Sequence, residues 1–150
     1  MSRLLTIAIP VFNGEKNLEA MLCGLIDKFP VNCEIVISDN ASTDNTPQIA
    51  LDYQSRYPEI VRYFVNKENL GFDENINLIF ERSKGNYVWL LGCGEIIKKD
   101  GLEQIIKEIE TAEFDIAVVN FDIFSEEKNS IEPELAFRVR TCLLYTSDAA

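Results

Sequence analysis

The chain has no histidine among its 150 residues, and its four cysteines, Cys23, Cys33, Cys93 and Cys142, show no CxxC spacing. Without paired thiols or imidazole companions a structural zinc site has no ligand set, so the cysteines read as free thiols of a reducing cytosol. Basic residues are scarce: 14 Lys and Arg stand against 25 Asp and Glu, a formal net charge of −11, and the cations are scattered. Such a chain repels DNA, RNA and anionic membranes, which argues against a nucleic-acid partner. A phosphate-bearing small ligand stays admissible if helix N-termini, local cations or a divalent metal hold it. The first apolar run, Leu4 to Val11, is too short to span a bilayer and lacks a signal-peptide cleavage pattern, so the segment reads as soluble. No linker or low-complexity tract divides the chain. What is present, 47% hydrophobic and 26% charged residues, suits one domain with a buried core.

The last nine residues, Cys142-Leu-Leu-Tyr-Thr-Ser-Asp-Ala-Ala150, resemble the translation of a transposon-end sequencing adapter. The expectation is therefore that residues 141–150 are foreign, that residues 1–140 are the natural part, and that the natural protein continues beyond Arg140.

Four times a short β-rich apolar run is followed by a turn and a segment of helical spacing, the pattern of βαβ units and a parallel sheet. Strands are expected at Leu4 to Val11, Glu34 to Asp39, Val61 to Val65 and Tyr87 to Leu91, with a fifth at Asp115 to Phe121. Leu18, Met21, Leu22, Leu25, Ile26 and Phe29 mark the buried face of the first helix. Thr46-Pro47 reads as an N-cap with proline at the first helical position, ahead of a face of Ile49, Ala50, Tyr53 and Tyr57. A third helix runs through Arg82 and is expected to stop near Gly85. A fourth carries Leu102, Ile105, Ile106 and Ile109, and Ser125 to Pro133 reads as a polar loop.

In a doubly wound sheet the ligand sits outside the C-terminal strand ends, where strand order reverses. Those ends carry Pro10 to Glu15, Asp39 to Asp44, Asn66 to Gly71 and Gly92 to Glu95. Pro10 cannot donate to the sheet ladder, so the chain turns outward there. Phe12 is then a wall for a base ring or an ordinary core residue. Glu15 is a site residue or a first-turn charge that suits the helix dipole. Asp39 closes an apolar strand and offers a carboxylate to the imide N–H of a pyrimidine, or, with Ser42, only orders an Asx turn.

Pro10-Val-Phe-Asn13, Ser38-Asp-Asn-Ala-Ser-Thr-Asp-Asn-Thr46, Asn69-Leu-Gly71-Phe72 with Asn75 and Asn77, and Gly85-Asn-Tyr-Val-Trp-Leu-Leu-Gly92 together resemble family 2 glycosyltransferases in order and spacing, over nearly all of Leu4 to about Glu110. Sugar transferases of O-antigen or capsule synthesis look most similar. The resemblance implies a GT-A (Rossmann-like) α/β fold, a mainly parallel sheet with helices on both faces, here truncated. It implies a cytoplasmic enzyme moving a hexosyl or related sugar from a nucleotide-diphosphate sugar to a hydroxyl of a glycan or lipid-linked acceptor, with membrane association not encoded in this segment. Pro10, Val11, Phe12, Asn13, Glu15, Asp39, Asn40, Ser42, Asn69, Gly71 and Asn77 would border the nucleotide sugar.

The family also implies an acidic cluster after the fourth strand, holding magnesium or manganese under the diphosphate. Here that place reads Cys93-Gly94-Glu95. Only Glu95 supplies a hard oxygen, so it is the one metal candidate. No catalytic base is identified, and the segment is expected to be inactive alone. The competing reading is a non-catalytic nucleotide-binding or interaction module with a degenerate metal site. A dinucleotide-binding or receiver-like domain lacks its marks: no GxGxxG follows the first strand, and no acidic pair with a later lysine sits at receiver spacing.

Overall fold

The computed structural model describes residues 3–27, 29–98, 100–111, 123–125 and 130–132. Its chain divides into two compact units, residues 1–101 and 102–150. In the first, strands β1 (Arg3–Val11), β2 (Cys33–Asp39), β3 (Val61–Val65) and β4 (Gly85–Leu90) form a parallel sheet in the order β3-β2-β1-β4. Helices α1 (Glu15–Ile26), α2 (Thr46–Arg56) and α3 (Phe72–Arg82) connect them. The second unit holds α4 (Gly101–Thr111, all but its first residue) and an antiparallel pair, β5 (Ile123–Ser125) with β6 (Ser130–Glu132). The expected polar loop Ser125 to Pro133 is thus corrected at Ser125 and at Ser130–Glu132, which lie in paired strands; the rest of it lies outside the described residues. The expected fifth strand and residues 141–150 lie outside the described residues.

The order of strands dictates the layering. The chain steps from β1 to β2 to β3 in one direction, then crosses back to place β4 on the other side of β1. Right-handed crossovers put α1 and α2 on one face and α3 on the other, with the switch point between β1 and β4. Central β1 and β2 are consequently buried on both faces and read as continuous apolar runs; Ile7, Ile9, Ile35 and Ile37 have no exposed surface. On the α3 face Ala8, Val36 and Ile79 pack with Phe64 and Val88. On α1, Leu18, Met21, Leu22 and Leu25 are buried as expected, whereas the helix ends before Phe29.

Two helix ends differ from the sequence expectation. Thr46 is the first helical residue, not the cap; its hydroxyl accepts from Gly14 N–H of the neighbouring loop at 2.8 Å, and Asp44 accepts from Thr46 N–H at 3.0 Å. The third helix is closed by extended Ser83, and Gly85 already belongs to β4. Glycine is required at 85 for another reason: a Cβ there would lie 2.4 Å from the Thr6 backbone nitrogen.

The end of the sheet opposite the strand C-termini is locked by a buried carboxylate. Glu34, 1% exposed, accepts from Thr6 Oγ1 at 2.8 Å, Lys84 N–H at 2.7 Å and the Arg62 guanidinium at 3.1 Å. Arg62 also donates to the Arg82 carbonyl at 2.8 Å, and Gly85 N–H to Thr6 Oγ1 at 2.9 Å. A charge buried this deeply is tolerated only when its oxygens are matched in this way.

Candidate functional site

At the C-terminal strand ends the first two loops are stitched together by their own polar groups. Asn13 N–H donates to Ser42 Oγ at 2.9 Å, and Thr43 N–H returns a bond to Asn13 Oδ1 at 2.8 Å. Glu15 N–H donates to Asp44 Oδ2 at 3.1 Å, and Asn45 N–H donates to Glu15 Oε2 at 2.9 Å. Each carboxylate therefore satisfies orphan N–H groups where the other loop's helix begins. Burial alone would raise the Asp44 pKa, but the bonds from Thr46 and Glu15 outweigh it and hold the carboxyl below the usual aspartate range. Asn13 and Ala41 accept positive φ, 52° and 62°, to make these turns.

Asp39, fully buried, accepts from Ser42 N–H at 2.8 Å and from Tyr63 Oη at 2.7 Å. Burial, reinforced by the Asp39 bond and charge, pushes the Tyr63 hydroxyl well above its ordinary pKa, so it stays a donor. The Asx turn that was one of two readings of Asp39 and Ser42 is present.

A second network ties β2 to the third loop and α3. Asn40 donates to Asn69 Oδ1 at 2.8 Å and Gly71 carbonyl at 3.0 Å, and accepts from Leu70 N–H at 2.9 Å and Asn66 Nδ2 at 3.1 Å. Asn75 accepts from Ser38 Oγ at 2.8 Å and Asn66 Nδ2 at 3.0 Å, and donates to Ser38 carbonyl at 3.0 Å. Arg82 closes it, donating to Ser38 Oγ at 2.6 Å and Asn66 Oδ1 at 3.0 Å while lying 5.1 Å over the Phe64 ring. Asn69 Oδ1 accepts from Gly71 N–H at 2.9 Å, and Gly71 sits at φ 85°, where glycine is unstrained.

Between these networks lies an open cleft of about 200 Å³ lined by Pro10, Val11, Phe12, Asn40, Asn69, Phe72 and Asn75. Its lining carries no charged side chain. Two aromatic rings flank it, and both face solvent at a cost: Phe12 is 49% and Phe72 70% exposed. Exposed rings beside buried amides are what a flat ligand with a polar edge needs.

The structure thus brings together Pro10, Val11, Phe12, Asn40 and Asn69 of the residues singled out from sequence. Asn13, Glu15 and Ser42 shape the adjoining loops, Asp39 lies behind them, Gly71 caps α3, and Asn77 is exposed on α3 outside the cleft. Phe72 and Asn75 stand in the quoted motif without being put forward for the site, Asn66 and Arg82 enter the sequence reading only as the start of a loop and the end of a helix, and Tyr63 carries no role there. The available signal was polarity: Ser38, Asn66 and Asn75 fall where neighbours are buried, and such groups need partners.

The fourth loop packs on the first. Cys93 sits against Gly14, where a Cβ would meet Val11 at 2.5 Å and the Cys93 sulfur at 2.8 Å. Burial, then the charge of Asp44, raises the Cys93 thiol pKa, so it persists as a thiol. Gly94 lies at φ 113°, with a Cβ 2.9 Å from Asn17 Nδ2, and Glu95 folds back over Gly92. No three His, Cys, Asp or Glu side chains among the described residues converge as metal ligands. A neutral thiol, a glycine and one exposed carboxylate do not make a protein cage for magnesium or manganese. No helix of the described residues is long and apolar enough to cross a membrane.

Comparison with known proteins agrees with this geometry. The family model described as glycosyl transferase family 2 matches residues 6–147. An abequosyltransferase of Salmonella typhimurium is 35% identical over 101 residues, 66% of this chain and 30% of that protein. Glycosyltransferase GlyA of Streptococcus pneumoniae is 30% identical over 124 residues, 83% of this chain and 18% of that one. The chain therefore spans less than a third of the length of these two relatives. Among solved structures, Staphylococcus aureus TarS 1-349 in complex with UDP-GlcNAc superposes with a TM-score of 0.63 at 24% identity, over 71% of this chain and 31% of that chain. The mannosyltransferase PcManGT from Pyrobaculum calidifontis, in complex with GDP-Man and Mn2+, gives 0.64 at 22%, over 71% and 32%. These two likenesses establish the GT-A architecture.

Proposed function

This chain belongs to glycosyl transferase family 2, and from that membership we propose that residues 3–98 form the nucleotide-holding part of an enzyme that transfers a sugar from a nucleotide-diphosphate sugar to an acceptor hydroxyl in surface-polysaccharide synthesis. The observation that carries the reading is the uncharged cleft flanked by Phe12 and Phe72 at the C-terminal strand ends. A base ring slots between aromatic faces, and the diphosphate, which gains nothing from an uncharged lining, extends outward toward the first and fourth loops. The complexes of TarS with UDP-GlcNAc and of PcManGT with GDP-Man and Mn2+ support a sugar nucleotide as the ligand class.

The roles of this chain's own residues are binding and orientation. Phe12 and Phe72 bracket the ring, the amides of Asn69 and Asn75 meet its edge, and the Asn13–Ser42 and Glu15–Asp44 pairs hold the first loop at a fixed height. Glu95 is the one hard-oxygen side chain on the fourth loop, so an ion beneath the diphosphate would draw most of its coordination from phosphate and water. No residue is assigned as the catalytic base.

The Cys93-Gly94-Glu95 turn favours one second reading, a module that binds the nucleotide without turning it over. Amide NMR separates these questions. Adding UDP, CDP or GDP is expected to shift resonances of Phe12, Asn69 and Phe72 and to leave those of Glu34 and Arg62 in place; shifts confined elsewhere would contradict the nucleotide reading. Manganese that tightens binding supports the enzyme, and binding indifferent to metal supports the module.

A further inference from the structure

Of the chain's twelve asparagines only Asn13 precedes a glycine, and the fold fixes both residues of that pair. A Cβ at Gly14 would lie 2.5 Å from Val11 Cγ2 and 2.8 Å from Cys93 Sγ, so no larger residue fits there. Asn13 holds φ at 52°, in the left-handed region that asparagine tolerates better than most residues, and its Oδ1 accepts from Thr43 N–H at 2.8 Å. An asparagine before glycine is the one most prone to imide formation, because no side chain hinders the glycine nitrogen.

The reaction needs only water. The Gly14 nitrogen attacks Asn13 Cγ and gives its proton to solvent; the carboxamide nitrogen takes up a proton and leaves as ammonia, which closes a five-membered imide. Water then opens the ring. Opening at Cγ gives aspartate. Opening at the Asn13 main-chain carbonyl gives isoaspartate, which routes the backbone through the side chain and adds a methylene between Phe12 and Gly14.

The second loop and the start of α2 hold both groups that must meet. Gly14 N–H donates to Thr46 Oγ1 at 2.8 Å, and Thr43 holds the Asn13 carboxamide oxygen. Thr46 is fully buried, whereas Asn13 is exposed. Water therefore reaches the carboxamide while the nitrogen that would attack it is engaged.

We propose that Asn13-Gly14 is a self-modification site, converting to aspartate and isoaspartate whenever the first loop swings free of Thr43 and Thr46, and that the Thr46 hydroxyl is its guard. Ring closure then requires a local opening, so its rate is the free-peptide rate multiplied by the open fraction. Nothing in this chemistry depends on which ligand the cleft holds.

Ageing the chain in neutral buffer tests this, with mass spectrometry of its peptides to follow amide-to-acid conversion and electron-transfer fragmentation to separate isoaspartate from aspartate. Conversion at Asn13 should be about tenfold or more slower than in a free Phe12–Asn17 peptide. Thr46→Val, which removes the hydroxyl and keeps the shape, should speed it about fivefold, the equivalent of one hydrogen bond; Thr46→Ser should restore the slow rate. Glu34→Ala, at the far end of the sheet, loosens the fold without touching this clasp and should speed conversion less than Thr46→Val does. Hydrogen exchange at Gly14 N–H reads the same opening without any variant, and its protection should match the slowing of conversion. A parent chain that converts as fast as the peptide, no conversion in Thr46→Val, or a faster rate in Glu34→Ala than in Thr46→Val overturns the proposal.

Discussion

The two ends of this parallel sheet solve the same problem with different materials. Toward the strand N-termini, three donors converge on one buried carboxylate: Thr6 Oγ1, the Arg62 guanidinium and the Lys84 amide together satisfy Glu34. Above the C-termini, carboxamides, the Arg82 guanidinium and the carboxylates of Glu15, Asp39 and Asp44 share the joining among several loops. The lower end is closed chemistry: both oxygens of the buried Glu34 accept hydrogen bonds. The upper end sets two exposed rings beside its amides, so exposed aromatic surface, not polar content, separates a binding site from a support.

Substitutions at each end sharpen that contrast. The largest effect is expected for Glu34→Ala, which leaves Thr6 Oγ1 and the Lys84 amide without their acceptor and Arg62 without its counter-charge; denaturant unfolding should show a loss of about 3 kcal/mol, with nucleotide affinity of the folded fraction unchanged. Asn40→Ala removes four bonds of the upper network and should cost about 2 kcal/mol while also weakening ligand binding, since Asn69 and Gly71 lose their anchor. Unequal sensitivity of binding to these two changes is the point; equal sensitivity would dissolve the distinction. Ser42→Ala, which leaves Asn13 N–H without its acceptor, should cost about 1 kcal/mol by the same measurement.

The smallest effect is a pH dependence. The Asp44 carboxyl is held below its unfolded value, so its contribution is present at neutral pH and is lost as pH falls below about 4, the ordinary aspartate pKa. Unfolding midpoints of the parent chain and Asp44→Asn should therefore differ at pH 7 and converge on acidification. A gap that widens in acid would contradict the assignment of Asp44 as an ionised cap for Glu15 and Thr46.

Much of this was readable from residue order. A run such as Leu4 to Val11 defines a strand because both faces of a central parallel strand are apolar, and the loops at the C-terminal strand ends are where such a sheet places its ligand. Pro10 and Phe12 enter on that logic and Asn69 through the family resemblance, and all three line the cleft. What escaped depended on pairing across the chain. Gly85 reads locally as a helix stop, and only the approach of the Thr6 backbone shows why it cannot be larger. Tyr63 is an unremarkable strand aromatic until β3 places it beside Asp39. Phe72 follows the Asn69–Gly71 motif, yet its role comes from standing across a cleft from Phe12, sixty residues earlier. Ser130 to Glu132 is too short and polar to signal a strand without its partner.

The central claim is that an aromatic-walled, uncharged cleft holds the ring of a nucleotide. Titrating UDP, CDP and GDP into the parent chain and into Phe12→Ala tests it most directly. The half-exposed ring contributes little to folding, so the melting temperature should stay within about 2 °C, whereas affinity for the preferred nucleotide should fall about tenfold through lost stacking. Unchanged affinity in Phe12→Ala, or no saturable binding to the parent chain, would contradict it.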